Sequence, residues 1–259
     1  MTKKATVTAH DIEIGLRALG LKEGSIVGVH SSLSRFGYVE GGADTVIDVL
    51  LSVVGNSGSV VMPTYLRNPN EVDLTAQERA LGITWKISKL PRDPRVELCW
   101  TGRIADTFRR RKGVVRGSHP THSLAAIGPR ANRLVRGWHE LLELDGHILL
   151  LGVTLRNCSA MHLAEEHVQL PDYIKRKLTP PPELSEKYPG DQWNIGFGPY
   201  PDFLLMEGPC QWRGIMKLTT IGDAVVKMTR LRDLIDLYVE YLRRAPEAFY
   251  HGCVTAGQQ

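Results

Sequence analysis

Cysteine is scarce. Four residues, Cys99, Cys158, Cys210 and Cys253, are spread over 259 positions with no Cys-x-x-Cys pair. This excludes a disulfide scaffold and gives no support to a zinc knuckle or a dithiol redox motif. The thiols read as reduced, as in a cytoplasmic protein. Long apolar runs are missing too: the longest, Ile148 to Val153, falls far short of the ~20 residues of a membrane span. Neither sign of charge dominates, with 32 Lys and Arg against 28 Asp and Glu and a net charge of +4. That mild excess suits an anionic small molecule as well as a nucleic acid. The first residues, MTKKATVTAHDIEIGL, contain two lysines but no apolar stretch of the kind a signal peptide needs. Gly-x-Ser-x-Gly, the Walker A pattern and Gly-x-Gly-x-x-Gly are all absent, so no nucleophile elbow, P-loop or dinucleotide fingerprint is present.

What is present belongs to a globular chain: 42% hydrophobic and 23% charged residues, enough apolar surface to offset chain entropy. Thr8 and Asp11 have the spacing of a capping box, followed by Ile12, Leu16 and Leu19 at helical period and a stop at Gly20. Residues 25–30 read as a buried strand, 42–54 as a helix between Gly41 and Gly55, and 59–62 as a second strand, a βαβ unit. A helix is expected over 102–111 and short strands over 113–116 and 124–127. The strongest strand spans 147–153 and a helix follows over 159–168. Residues 64–98 show no firm period, and 179–201 read as a Pro/Gly-rich loop. Two closing helices are expected, at 221–229 and 231–243, the second with Leu234, Leu237, Tyr238 and Tyr241 in phase. Strands alternating with helices predict an α/β fold, a layered sheet with flanking helices, and no linker splits residues 1–259 into more than one domain.

Three places could carry chemistry. His30-Ser31-Ser32-Leu33 ends a buried strand, where α/β sheets bind ligands, although a Ser-rich turn needs no ligand to explain it. The loop Arg116-Gly117-Ser118-His119-Pro120-Thr121-His122-Ser123 is dense in polar groups; Pro120 between its two histidines spoils a helical metal pair, and its hydroxyls could equally satisfy its own backbone. In Ser159 to His167, Glu165 and Glu166 lie three and four residues after His162, so a helix puts a carboxylate beside an imidazole, the pairing of a general base, although a polar helix face with an i,i+4 pair explains the spacing equally well. A zinc site is disfavoured there, because His162 and His167 would stand roughly 140° apart around an α-helix. The run Arg109 to Lys112 has an ordinary explanation, cations complementing a helix C-terminus.

Taken together, residues 30–51 (HSSLSRFGYVEGGADTVIDVLL), 58–65 (GSVVMPTY), 100–131 (from WTGRIADTF to HSLAAIGPRA), 144–153 (LDGHILLLGV) and 158–165 (CSAMHLAE) occur in the order found in the aminoglycoside 3-N-acetyltransferases. The chain resembles that family, best over residues 8–170. The resemblance implies the antibiotic N-acetyltransferase fold, distinct from the GNAT fold, and acetyl transfer from acetyl-CoA to the 3-amino group of an aminoglycoside. By it, His162 is the base and Glu165 orients the ring. His30, Ser31, Ser32, Leu33, Arg116, Ser118, His119, Pro120 and Ser123 fall on segments lining the CoA channel. Tyr65, Glu166, Asp191 and Asp202 are candidates for the acceptor side. No metal, nucleic acid or membrane is expected as a partner, and the state is a monomer or homodimer. Because the acceptor is a polycation, an acidic face is expected from Glu165, Glu166, Asp172, Glu183, Glu186, Asp191 and Asp202. Two other readings stand beside this one: the same fold acting on a non-aminoglycoside amine, and a non-catalytic basic protein binding a polyanion through Arg109 to Lys112.

Overall fold

The structure is a computed structural model describing residues 6–67, 71–72, 76, 87–89, 98–119, 122–180, 182–190, 193–195 and 201–250. Helix α1 (Ala9–Ala18) begins with the expected capping box: the Thr8 hydroxyl accepts from the Asp11 amide, and the Asp11 carboxylate accepts from the Thr8 amide at 2.8 Å. Two amides that the first turn leaves without partners are thereby bonded. Strand β1 (Ile26–Ser31), helix α2 (Gly42–Val54) and strand β2 (Ser59–Pro63) form the βαβ unit, β1 and β2 running parallel with Ile26 opposite Ser59. Helix α3 (Arg103–Phe108) follows, then β3 (Val115–Arg116), β4 (Leu124–Ile127), helix α4 (Trp138–Glu143) and β5 (His147–Leu151). Strands β6 (Met216–Ile221) and β7 (Ala224–Arg230) and helix α5 (Leu231–Arg244) end the described chain but for one short turn.

These seven strands make one sheet in the order β6-β7-β5-β1-β2-β4-β3. Its centre, β5-β1-β2, is parallel; the flanking pairs are antiparallel. Along β5, Ile148 and Leu150 pack with Met161 and with Leu234, Tyr238 and Leu242 of α5, while Leu149 and Leu151 pack with Val46 and Leu50 of α2 and Phe108 of α3. A strand covered on both faces must be apolar at every position, which is why residues 148–151 read as an unbroken run. Among the described residues no helix is long and apolar enough to cross a membrane.

Three expectations fail. Residues 221–229 are not a helix; they belong to the hairpin β6–β7, turned at Gly222 and Asp223. Gly222 has φ +57°, and a Cβ there would lie 2.4 Å from the Phe36 carbonyl oxygen, so only glycine fits. Flanking β-branched residues (Thr219, Thr220, Val225, Val226, Thr229) favour strands over helix. The expected loop 179–201 contains a helix, Pro182–Lys187, and a strand, Trp193–Ile195, paired antiparallel with Ile87–Lys89. Helix α3 ends at Phe108, short of the basic run. Arg109 and Arg110 pair with Asp106, and Arg111 reaches Asp44 and Asp48 of α2. Three of the four cations are therefore held in ion pairs, two within the α3 turn and one, Arg111, tying it to α2.

Candidate active site

Beyond the carboxyl ends of β1, β2 and β5 lies a cleft of about 2340 Å³. A pocket for one small molecule typically measures about 300–1,000 Å³, so there is room for two substrates side by side. His30 to Arg35, Tyr65 and Trp100 to Arg103 give one part of its lining, called the floor below, and Ser159, His162 and Phe203 another, called the wall.

The wall segment Ser159–His167 is a 3-10 helix, not the α-helix expected. With three residues per turn, positions three apart eclipse one another. This selects Glu165 over Glu166 as the partner of His162: Nδ1 and Glu165 Oε1 are 2.8 Å apart. A carboxylate only accepts, so Nδ1 is the donor of this bond, which in the neutral ring leaves the lone pair on Nε2. The ring is braced edge-on by Phe203 at 4.9 Å, and Phe203 by Tyr238 of α5 at 5.5 Å. Helix α5 thus positions the histidine from behind.

The same eclipsing puts Ser159 on the edge shared by His162 and Glu165. Its hydroxyl bonds the Tyr65 hydroxyl at 2.7 Å and accepts from Trp138 Nε1 at 3.1 Å. Neither Ser159 nor Trp138 stands out in the sequence; the three-residue spacing Ser159, His162, Glu165 was the available signal for the first, hidden by an α-helical reading. Burial raises the Tyr65 hydroxyl above its usual range, so it remains a donor. Trp138 stacks on His30, centroids 5.3 Å apart at 27°. That contact depends on Gly28, where a Cβ would stand 2.7 Å from Leu141 and 2.8 Å from Trp138. His30 is 4% exposed, and burial pushes its imidazole down to about 3, so it is uncharged at neutral pH.

Ser31, Ser32, Leu33, His119, Glu166 and Asp202 also line the cleft, as do Tyr65 and His30. Arg116 and Ser123 sit behind it: the Arg116 guanidinium donates to Ser123 Oγ at 3.3 Å, and Ser123 donates to the His119 carbonyl. They hold the His119 loop rather than face the cleft. Ser118 is exposed outside the lining. Pro120 and Asp191 lie outside the described residues. The cations that do line the cleft are Arg35, Arg103, Arg156 and Lys227. Lys227 is paired with Glu207 at 2.6 Å, and Glu207 also accepts from the Leu155 amide at 2.9 Å, fixing the entry to the 3-10 segment. Arg156 pairs with Asp202 at 3.4 Å. Arg35 and Arg103 have no ion-pair partner among the described residues. Lining carboxylates among the described residues are Glu166, Asp202 and Asp223. Of the acids expected to form an acidic face, Glu166 and Asp202 line the cleft, and Asp172 is exposed beside Lys175.

Residues 29–243 match the family model described as aminoglycoside 3-N-acetyltransferase. The chain belongs to this family. A curated relative, aminoglycoside N(3)-acetyltransferase VII of Streptomyces paromomycinus, is 28% identical over 268 residues covering 91% of each chain. Two solved structures share the fold: AAC-IIIb, a binary complex with CoASH (22% identity, TM-score 0.72, 93% of this chain and 97% of that one), and a mutant of AAC(3)-IVa in complex with a gentamicin (23% identity, TM-score 0.73, 96% and 93%). The span matched to the aminoglycoside 3-N-acetyltransferase family holds the whole arrangement, from His30 through Ser159, His162 and Phe203 to the bracing face of α5.

Proposed function

We propose that the protein transfers an acetyl group from acetyl-CoA to the 3-amino group of an aminoglycoside, and that this underlies antibiotic resistance. The observation that carries the reading is the His162–Glu165 pair, 2.8 Å apart on the wall of a two-substrate cleft in a chain of this family. Acetyl-CoA supplies the acetyl group as an activated thioester. Arg35 and Arg103, on the cleft without carboxylate partners among the described residues, suit its phosphates, and the hydroxyls of Ser31 and Ser32 suit its polar chain. Relatives of the same fold, solved with CoASH and with a gentamicin, support the same pair of ligands.

An ammonium is not a nucleophile, so the acceptor amine must lose its proton. His162 takes that proton on Nε2, the ring nitrogen turned away from Glu165; Glu165 steadies the positive charge on the ring. Amine and donor are held together in one cleft, and no covalent enzyme intermediate is needed. A second reading rests on one observation. Among the described residues, the lining carboxylate Asp202 is already paired with Arg156, and Glu166 and Asp223 are there to meet a polycation. An amine with fewer charges fits that lining better.

The test is release of CoA thiol from acetyl-CoA with a panel of aminoglycosides, wild type beside His162→Ala. Drug-dependent release that falls by about 10³-fold or more in the variant supports the first reading. A CoA-induced rise in melting temperature without release for any drug leaves the second.

A further inference from the structure

We propose that the His30 imidazole is a second catalytic group, a ring N–H that hydrogen-bonds the carbonyl oxygen of the acetyl donor while His162 takes the proton of the amine. The inference rests on the function proposed above. It starts from an unanswered atom. His30 lines the cleft and is 4% exposed, yet its Nε2 is sealed from solvent with no hydrogen-bond partner. Trp138, on which it stacks, is itself bonded to Ser159 and Tyr65. A buried polar atom left without a partner costs about 1–3 kcal/mol, and such atoms in native structures call for an explanation. Tyr238 also has a sealed hydroxyl without a partner, but it sits in the apolar core against Phe203 and Phe249, away from the cleft.

Position and rigidity favour the assignment. His30 is the penultimate residue of β1, opposite Leu150 in the register with β5, at the carboxyl end of the parallel centre where ligands of α/β sheets bind. Its ring plane is fixed by the stack on Trp138, and Trp138 is fixed by Ser159 and by its seat against Gly28. A donor held in place before the reaction needs no reorganisation as charge develops. Because burial keeps the ring uncharged, it offers one N–H and one lone pair and does not compete with His162 for the proton. In the transfer the C–N bond forms from the nitrogen lone pair as the C–S bond breaks. The electron pair of that bond leaves on sulfur, and the proton taken by His162 is returned to it. Negative charge accumulates on the carbonyl oxygen in between, and that is the charge His30 meets.

The test uses His30→Phe, which keeps ring, volume and stack but removes the N–H, and His30→Gln, which keeps a donor. Infrared difference spectra of bound acetyl-CoA, labelled with ¹³C at the thioester carbonyl and measured without acceptor, read the hydrogen bond directly. The carbonyl stretch should lie below its solution frequency in wild type and return to it in His30→Phe. In parallel, kcat should fall about 10²–10³-fold in His30→Phe with both KM values within threefold, and His30→Gln should recover part of it. An unchanged band in His30→Phe overturns the inference, as does a loss confined to the KM for acetyl-CoA, or a loss that tracks a lower melting temperature equally in both variants. If drug-dependent thiol release is intact while the band ignores residue 30, only this inference falls. If wild type does not bind acetyl-CoA, the proposed function falls with it.

Discussion

The floor and the wall of the cleft each present a histidine, and they hold it in opposite ways. On the floor, His30 belongs to a central strand flanked by β5 and β2, under the indole of Trp138, at 4% exposure. On the wall, His162 projects from a 3-10 segment with 38% of its side chain exposed, tied to one carboxylate and braced by one phenyl ring. A sheet interior excludes water and so excludes charge on an imidazole. One scaffold therefore provides a buried neutral ring and a half-exposed, carboxylate-bonded ring within one cleft.

The sharpest way to break this contrast is on the wall. Glu165→Gln keeps the size of the partner but removes its charge, so the imidazolium formed in the reaction goes unsupported. A fall in kcat of about 100-fold is expected, with the acceptor KM little changed. Steady-state kinetics with a responsive aminoglycoside check it; a loss seen in KM alone would put Glu165 in acceptor binding instead.

On the floor the expected effect appears as pH dependence of stability. The His30 imidazole is lowered to about 3 by burial, against about 6.5 in an unfolded chain. Below about 6.5 the unfolded chain binds the extra proton and the folded one does not. The site's contribution is therefore intact above that pH and declines as pH falls toward 3, by on the order of 2 kcal/mol at about pH 4.5. His30→Phe should have a shallower acid limb than wild type. Urea midpoints of both proteins at about pH 7 and about pH 4.5 measure the difference, and parallel limbs would contradict the burial argument.

Gly28→Ala tests the seat of the floor. Its Cβ would stand 2.7 Å from Leu141 and 2.8 Å from Trp138, so α4 must move, at a cost of about 1–3 kcal/mol. Gly208 is the internal control: it is in the helix Glu207–Trp212 with nothing within 4 Å of an added Cβ. Gly208→Ala should stabilise by about 0.5–1 kcal/mol. Thermal melts separate the two, and equal shifts would mean that the packing at Gly28 is not tight.

How far the sequence leads follows from where each signal resides. Local signals read well: the Thr8–Asp11 box, the apolar strands 26–31 and 147–151, the glycines bounding α2 and the in-phase apolar positions of α5. Residues 216–230 misled because Gly222-Asp223 reads as a helix interruption as readily as a hairpin turn, and the packing that demands glycine there comes from Val7 and Phe36, distant in the chain. His162 and Glu165 stand out because they are three apart. Trp138 cannot, since its partners Tyr65, His30 and Ser159 are 73, 108 and 21 residues away along the chain and only the sheet brings them together. Arg116 invites a phosphate by charge alone; the fold turns it toward Ser123.

The last expected effect concerns the joint between floor and wall. Ser159 Oγ, on the wall, bonds both Tyr65 and Trp138, and Trp138 carries the stack on His30. Ser159→Ala would leave the Tyr65 hydroxyl and the Trp138 N–H without their best partner in a buried place, a loss of about 1–3 kcal/mol. Tyr65→Phe removes one arm only. Ser159 still accepts from Trp138 at 3.1 Å, and no donor is stranded, so a cost of about 0.5–1.5 kcal/mol is expected with activity within a few-fold of wild type. Chemical denaturation and kinetics on the two single variants and the double variant close the cycle. Non-additive stabilities are expected, because the two residues share a bond. Additive values would mean that Tyr65 and Ser159 do not act as a pair, and that floor and wall are joined through Trp138 alone.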